Sequence, residues 1–433
     1  MDHPDSKERS VTDIITIETV LSGGIEQHTK FIDIRPTAAY NGWVIRTEER
    51  GGHAPGAIAF PALWAQKAFD RELVGKFEEK GITPADRILI YGYGDEEPLA
   101  FADRLETLGY DQVSVLKGGF AEWAARADLE VHRLPRFEKL VHPDWLADLR
   151  GGESVQEPPS GDTLVFHVNF GVPEDYSRGH IPGALHLDTN VLESSVDWNR
   201  RSPEELEAAL LRLGITAATP VILYGNDTAR DPRENHPGRR AGQIAATRAA
   251  AILTYAGVRD VRLLDGGLNA WSSHGYQIEI EAQEPLPAEV FGTTIPANPG
   301  VFIDYDEAVE LIANPNGALV SIRSRPENEG VTSGYRYISD RGDIPGAIWG
   351  DNGSDAYHME NYRNIDNTMR DFNEIAANWV RAGISRDKTV SFYCGTGWRA
   401  SETWFYAHLL GWDDVSIYDG GWFEWSRING SSL

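Results

Sequence analysis

The 433-residue chain contains a single cysteine, Cys394, and only three methionines. One thiol excludes an internal disulfide, a cysteine-rich zinc site and an iron–sulfur cluster held by this chain alone. No run of 18 apolar residues occurs, so no segment reads as a membrane span. Basic residues are also scarce: 40 Lys and Arg against 66 Asp and Glu leave a formal net charge of −26. That charge repels nucleic acid and anionic membrane surfaces, and neither is expected as a partner. It does not forbid a small anionic substrate, because a local pocket can oppose the global sign. The 12 histidines show no ligand spacing, so no metal is expected. The polar start has no signal-peptide pattern. The cytoplasm is therefore the default compartment, or the periplasm if an export signal has been removed.

What the chain does have is internal repetition. Thirteen Trp and 43 Gly argue against disorder, and three anchors recur in fixed order. The first is a turn: His53-Ala54-Pro55-Gly56-Ala57, His180-Ile181-Pro182-Gly183-Ala184 and Asp343-Ile344-Pro345-Gly346-Ala347. The second is an apolar run ending in Tyr91-Gly92, Tyr224-Gly225 and Tyr393-Cys394. The third is a strand signal followed by Lys117-Gly118-Gly119, Asp265-Gly266-Gly267 or Asp419-Gly420-Gly421, and then by Trp123, Trp271 or Trp425. Gly92 to Trp123 and Cys394 to Trp425 both span 31 residues; Gly225 to Trp271 spans 46, so the second unit carries 15 more, assigned to 226–240.

Units of about 130 to 150 residues are too long for a solenoid repeat, and each can fold as a domain. Phe31 to Arg35 and Val390 to Tyr393 read as short buried strands. Ser401 to Leu410 reads as a helix stopped by Gly411. Strands alternating with helices predict an α/β fold with parallel sheets covered on both faces. The expected domains are 1–136, 137–288 (with the insertion at 226–240) and 289–433. The Gly-Gly-x-x-x-Trp and Pro-Gly-Ala features occur in all three copies, whereas only one copy has the cysteine. They therefore read as scaffold.

Cys394-Gly395-Thr396-Gly397-Trp398-Arg399 lies between a strand end and a helix start, where open parallel sheets bind ligands. Two glycines allow backbone N–H groups to turn inward as an anion cradle. The helix N-terminus and Arg399 add positive charge, and both stabilise a thiolate. The alternative for Arg399 is an internal ion pair, for example with Glu402. In the first unit Gly92 takes the cysteine position, followed by Asp95, Glu96 and Glu97. In the second Gly225 takes it, and Arg230 keeps the spacing of Arg399. Arg230, with Arg233, Arg239 and Arg240, is a candidate positive wall facing Cys394.

On these motifs the chain resembles the rhodanese superfamily of sulfurtransferases. The match extends over three rhodanese-like domains, as in three-domain bacterial sulfurtransferases whose last domain is catalytic. The resemblance implies parallel sheets of about five strands with helices on both faces. It also implies a Cys394 thiolate that takes a sulfane sulfur, becomes a persulfide and passes the sulfur on, with no metal or organic cofactor. Gly395, Thr396, Gly397, Trp398 and Arg399 would form the substrate loop. The expected donor is a small anion, thiosulfate or 3-mercaptopyruvate. The expected acceptor is a thiol, cyanide or a sulfur-accepting protein. Arg336 matches one substrate arginine of mercaptopyruvate enzymes, but Glu327 stands where the other is found. Two other classes stand as alternatives. Phosphatases place five residues between Cys and Arg where this loop has four. A persulfide carrier or scaffold would act with a protein partner rather than on small molecules.

Overall fold

Short apolar runs bounded by Gly, Pro and Asp pair as parallel strands where helices can cover both faces. The computed structural model describes residues 12–23, 28–67, 69–171, 173–226 and 243–430. The first sheet contains β1 (Asp13–Ile15), β2 (Lys30–Asp33), β3 (Ile58–Ala59), β4 (Ile88–Tyr91) and β5 (Val113–Leu116). The second contains β6 (Leu140–Val141), β7 (Leu164–Asn169), β8 (Leu185–Asp188), β9 (Val221–Tyr224) and β10 (Val261–Leu264). The third contains β11 (Phe302–Ile303), β12 (Gly317–Ser321), β13 (Ile348–Trp349), β14 (Thr389–Tyr393) and β15 (Val415–Tyr418). The strand orders are β1-β5-β4-β2-β3, β6-β10-β9-β7-β8 and β11-β15-β14-β12-β13, one topology repeated three times. Every pairing within them is parallel.

The repeated anchors turn out to be contacts. The tyrosine closing the middle strand is fully buried in each sheet, and its hydroxyl needs a partner. It accepts from the turn: Ala54 N–H to Tyr91 at 3.2 Å, Ile181 N–H to Tyr224 at 2.9 Å, and Ile344 N–H to Tyr393 at 3.4 Å. The second glycine of each Gly-Gly pair is left-handed, with φ +57°, +55° and +54° at Gly119, Gly267 and Gly421. A Cβ there would stand 2.5, 2.4 and 2.6 Å from the carbonyl oxygens of Gly92, Gly225 and Cys394. The following N–H groups, of Phe120, Leu268 and Trp422, donate to those same carbonyls at 2.8, 2.9 and 2.8 Å. The Gly-Gly pair therefore seats the loop that follows each middle strand.

Gly421→Ala combines left-handed strain, about 1–2 kcal/mol, with a backbone clash. Gly383→Ala has only the strain, since its φ is +82° and nothing lies within 4 Å of the added Cβ. In denaturant unfolding Gly421→Ala is expected to be the more destabilised of the two. Equal midpoints would contradict the seating contact.

Two local expectations are adjusted. The strand read over Phe31 to Arg35 ends at Asp33, because Arg35 folds back onto Asp33 with contacts of 3.0 and 2.6 Å. The helix read from Ser401 begins at Trp398, with Gly397 as N-cap, and runs to Leu409.

The chain divides into two compact units, Met1–Leu134 and Pro135–Leu433. The limits 1–136, 137–288 and 289–433, each enclosing one sheet, are our proposal for the domains. Within Pro135–Leu433 the helices Gln243–Ala256 and Trp398–Leu409 pack on each other more extensively than any other helix pair among the described residues. Both are buried almost all round, as befits helices between two sheets. Among the described residues no helix is long and apolar enough to cross a membrane.

Candidate active site

β14 is the middle strand of the third sheet, and it ends at Tyr393. Cys394 follows at its carboxyl end and is fully buried. Gly395 comes next, with the Tyr335 ring lying directly on it. A Cβ on Gly395 would stand 2.2 Å from Tyr335 Cε2, so only glycine fits. Thr396 is hydrogen-bonded through its side chain to the Tyr337 hydroxyl. Gly397 has φ +81° and caps the helix Trp398–Leu409. Among the described residues no acceptor receives the N–H groups of Gly395, Thr396 or Gly397. Free amides beside a helix N-terminus favour negative charge.

Arg399 is buried in the first turn of that helix. Its Nη1 and Nη2 donate to Glu327 Oε2 and Oε1 at 2.9 and 2.8 Å, and Nη2 also donates to the Tyr335 hydroxyl at 3.0 Å. The internal pair therefore forms, but with Glu327 instead of Glu402. Glu402 is held by Arg363, at 2.6 Å between Nη2 and Oε2. Glu327 also accepts from the Ser324 backbone and hydroxyl, at 3.0 and 2.8 Å. Burial alone would raise its carboxyl; Arg399 first, then Arg323, outweigh it and hold the group below the usual carboxylate range. Burial likewise pushes the Tyr335 phenol well up, with Arg399 opposing.

The cysteine-free second repeat supplies much of the wall. Trp198 stacks on Tyr337 with centroids 5.3 Å apart, and Phe170 meets Trp198 at 5.3 Å and Trp398 at 6.0 Å. Tyr335 contacts Tyr337 at 5.3 Å and Tyr357 at 6.0 Å. These rings form one continuous aromatic surface next to the cysteine loop. Trp398 also donates its indole N–H to Glu193 Oε2 at 3.0 Å. Burial pushes the Glu193 carboxyl up to about 7, against the pull of Arg248.

The residues singled out from sequence thus separate into groups. Cys394 through Arg399 form one loop and the first turn of a helix. Arg336 is exposed, while its neighbours Tyr335 and Tyr337 reach the loop. Arg230, Arg233, Arg239 and Arg240 lie outside the described residues. Sequence reasoning missed Tyr335, Tyr337, Trp198, Glu193 and Arg248. It met Glu327 only as a departure from a motif. Among the described residues no group of three His, Cys, Asp or Glu side chains could hold a metal ion.

In comparisons with known proteins, the family model of the rhodanese-like domain matches residues 19–126, 143–274 and 304–428. Thiosulfate sulfurtransferase YnjE of Escherichia coli is 42% identical over 402 residues, 93% of this chain and 88% of that one. The anaerobic ergothioneine biosynthesis enzyme of Chlorobium limicola, solved with trimethyl histidine, is 44% identical with a TM-score of 0.93. That likeness covers 96% of this chain and 97% of the other. Structures of EanB, also 44% identical, include one of a tyrosine variant with a cysteine persulfide and ergothioneine, at TM-score 0.93 over 96% of this chain and 97% of that one. Another is of a threonine variant with hercynine, at TM-score 0.94 over 98% and 97%.

Proposed function

This chain belongs to the rhodanese-like domain family and is a sulfurtransferase; we propose that it carries sulfane sulfur on Cys394 and delivers it to a small aromatic acceptor bearing a quaternary ammonium, of the trimethyl histidine type. One observation carries this reading: the aromatic surface beside the cysteine loop, with Tyr335 and Thr396 in it. In the EanB structures the altered tyrosine precedes the persulfide cysteine by 59 residues, and the altered threonine follows it by two. Tyr335 and Thr396 stand at the same separations from Cys394. Clustered rings suit a quaternary ammonium, which the negative faces of π systems attract.

The chemistry runs in two displacements. The Cys394 thiolate attacks the outer sulfur of thiosulfate. The new S–S bond forms, the old one breaks, and sulfite leaves. The free amides of Gly395, Thr396 and Gly397 would stabilise the anionic persulfide. In the second step the imidazole carbon between the ring nitrogens bonds to the outer sulfur as the persulfide S–S bond breaks. The proton of that carbon passes to the departing Cys394 thiolate, which ends as the thiol, so no oxidant is required. Arg399 is a positioning residue here: its charge is matched by Glu327, and its hydrogen bond orients the Tyr335 hydroxyl. The same match weighs against 3-mercaptopyruvate as donor, since Glu327 occupies an expected substrate-arginine position.

The test is turnover of thiosulfate with trimethyl histidine, and with cyanide as comparison acceptor. Formation of the thiolated histidine is expected. Transfer to cyanide alone would return the chain to the simpler thiosulfate:cyanide reading, whose donor the similarity to the E. coli enzyme supports. Tyr335→Phe keeps the ring and removes the hydroxyl. It should lower transfer to trimethyl histidine by about 100-fold if that hydroxyl serves the proton movements, while loading of Cys394 stays near normal. An unchanged rate would remove Tyr335 from the mechanism.

A further inference from the structure

Arg248 lies on the helix Gln243–Ala256 of the second repeat and is fully buried. Its Nε lies 3.0 Å from Glu193 Oε2 and its Nη2 2.7 Å from Asp419 Oδ1. Nη2 also donates to the Trp198 carbonyl at 2.9 Å. Its Nη1 has no partner among the described residues, and it would stand 3.0 Å from a Cβ on Gly397. One guanidinium thus touches four parts of the site: the Asp-Gly-Gly turn, the end of the cysteine loop, the acid that holds Trp398, and the main chain of the aromatic wall.

Two of these parts need such a restraint. Trp198 is a non-glycine residue at φ +66°, a conformation costing about 1–3 kcal/mol that persists only where its surroundings over-determine it. Asp419 is a buried carboxylate, and burial alone would raise it. Arg248 and then Arg200, whose backbone and side chain both reach Oδ2 at 2.9 Å, reverse that and hold it low. A planar guanidinium can bridge several acceptors at fixed angles, and an ammonium cannot.

We infer that Arg248 is a positioning residue of the sulfur-transfer site, through which the cysteine-free second repeat fixes the cysteine loop and the aromatic wall relative to each other. The inference rests on the proposed sulfur transfer. It gives the second repeat a task in the reaction beyond covering the third, and it names Glu193 as the partner that passes the restraint to Trp398.

The test uses the full chain as parent, Arg248→Lys, Arg248→Met and Glu193→Gln. Each is followed for thermal midpoint, for sulfur loaded on Cys394 from thiosulfate, and for kcat and KM with trimethyl histidine. Arg248→Lys should still load sulfur. Its kcat should fall about 10–100-fold, the scale of a misplaced reacting group, with the smaller part of the loss in KM. Arg248→Met should fall further, so that lysine is a partial rescue. Glu193→Gln keeps size and shape and should lower kcat less than Arg248→Lys. A folded Arg248→Lys with the parent's kcat overturns the inference. If neither Arg248 variant folds, Glu193→Gln decides: a reduced kcat at an unchanged midpoint supports the inference, and the parent's kcat overturns it. A parent that takes no sulfur overturns the underlying sulfur-transfer reading instead, which the loading assay registers separately.

Discussion

Cys394→Ser is expected to abolish sulfur transfer, with kcat falling about 10,000-fold or more, as when a covalent nucleophile is removed. Serine preserves the small buried volume after β14, so the fold should be retained. The loop is seated by contacts the substitution leaves alone: Trp422 N–H on the Cys394 carbonyl at 2.8 Å and Phe423 N–H on the Gly395 carbonyl at 3.0 Å. The serine hydroxyl cannot hold a sulfane sulfur, and no other cysteine can substitute, because the chain has one. The check is steady-state turnover beside a thermal unfolding scan. Retained turnover in a folded Cys394→Ser protein would refute the assignment, and the two cysteine-free repeats would then favour a scaffold.

The second large effect concerns stability. Glu327→Ala removes the one carboxylate that Arg399 meets among the described residues and leaves a buried guanidinium facing Tyr335, with its Nε already unpartnered among those residues. Breaking one side of a buried pair typically costs about 3–5 kcal/mol. Arg323, whose Nε is 3.5 Å from Glu327, loses part of its environment as well. A clearly lower thermal midpoint is expected, with sulfur transfer falling too as the Tyr335 hydroxyl loses its fixed partner. The sign with pH follows from the carboxyl being held below its ordinary value of 4.5 in the folded chain. Its contribution is present above that pH and is lost as pH falls through the lower folded value. Glu327→Gln should remove this part of the acid sensitivity. A midpoint unchanged by Glu327→Ala would mean that Arg399 finds another partner.

Much of the fold is legible in the sequence, for a physical reason. The middle strands, the Pro-Gly turns and the Gly-Gly pairs are local signals, and their mutual contacts repeat three times at fixed spacing. A feature such as Gly421 can be read because only glycine tolerates its backbone and its approach to the Cys394 carbonyl. The loop Cys394 to Arg399 is legible for the same reason, being one continuous segment. The rest of the site is not. Tyr335 reaches the loop from 59 residues upstream, and Arg248 and Trp198 come from another repeat. Nothing in their local spacing marks them. Arg399 shows the other limit: the sequence gives its charge but not whether Glu327 or Glu402 meets it. That choice is fixed by Arg363 already holding Glu402. Arg336 lies between the two tyrosines that contact the cysteine loop, so its segment is legible while the contacting side chains are its neighbours.

Cys394 takes up a sulfur atom that then leaves for an acceptor. The measurement that tests it most directly is the intact mass of the reduced chain after brief exposure to thiosulfate, and again after trimethyl histidine is added. A gain of about 32 Da for one sulfane sulfur, localised to the peptide containing Cys394, is predicted; the acceptor should remove it. No gain, or a gain that trimethyl histidine and cyanide both leave in place, would contradict the account.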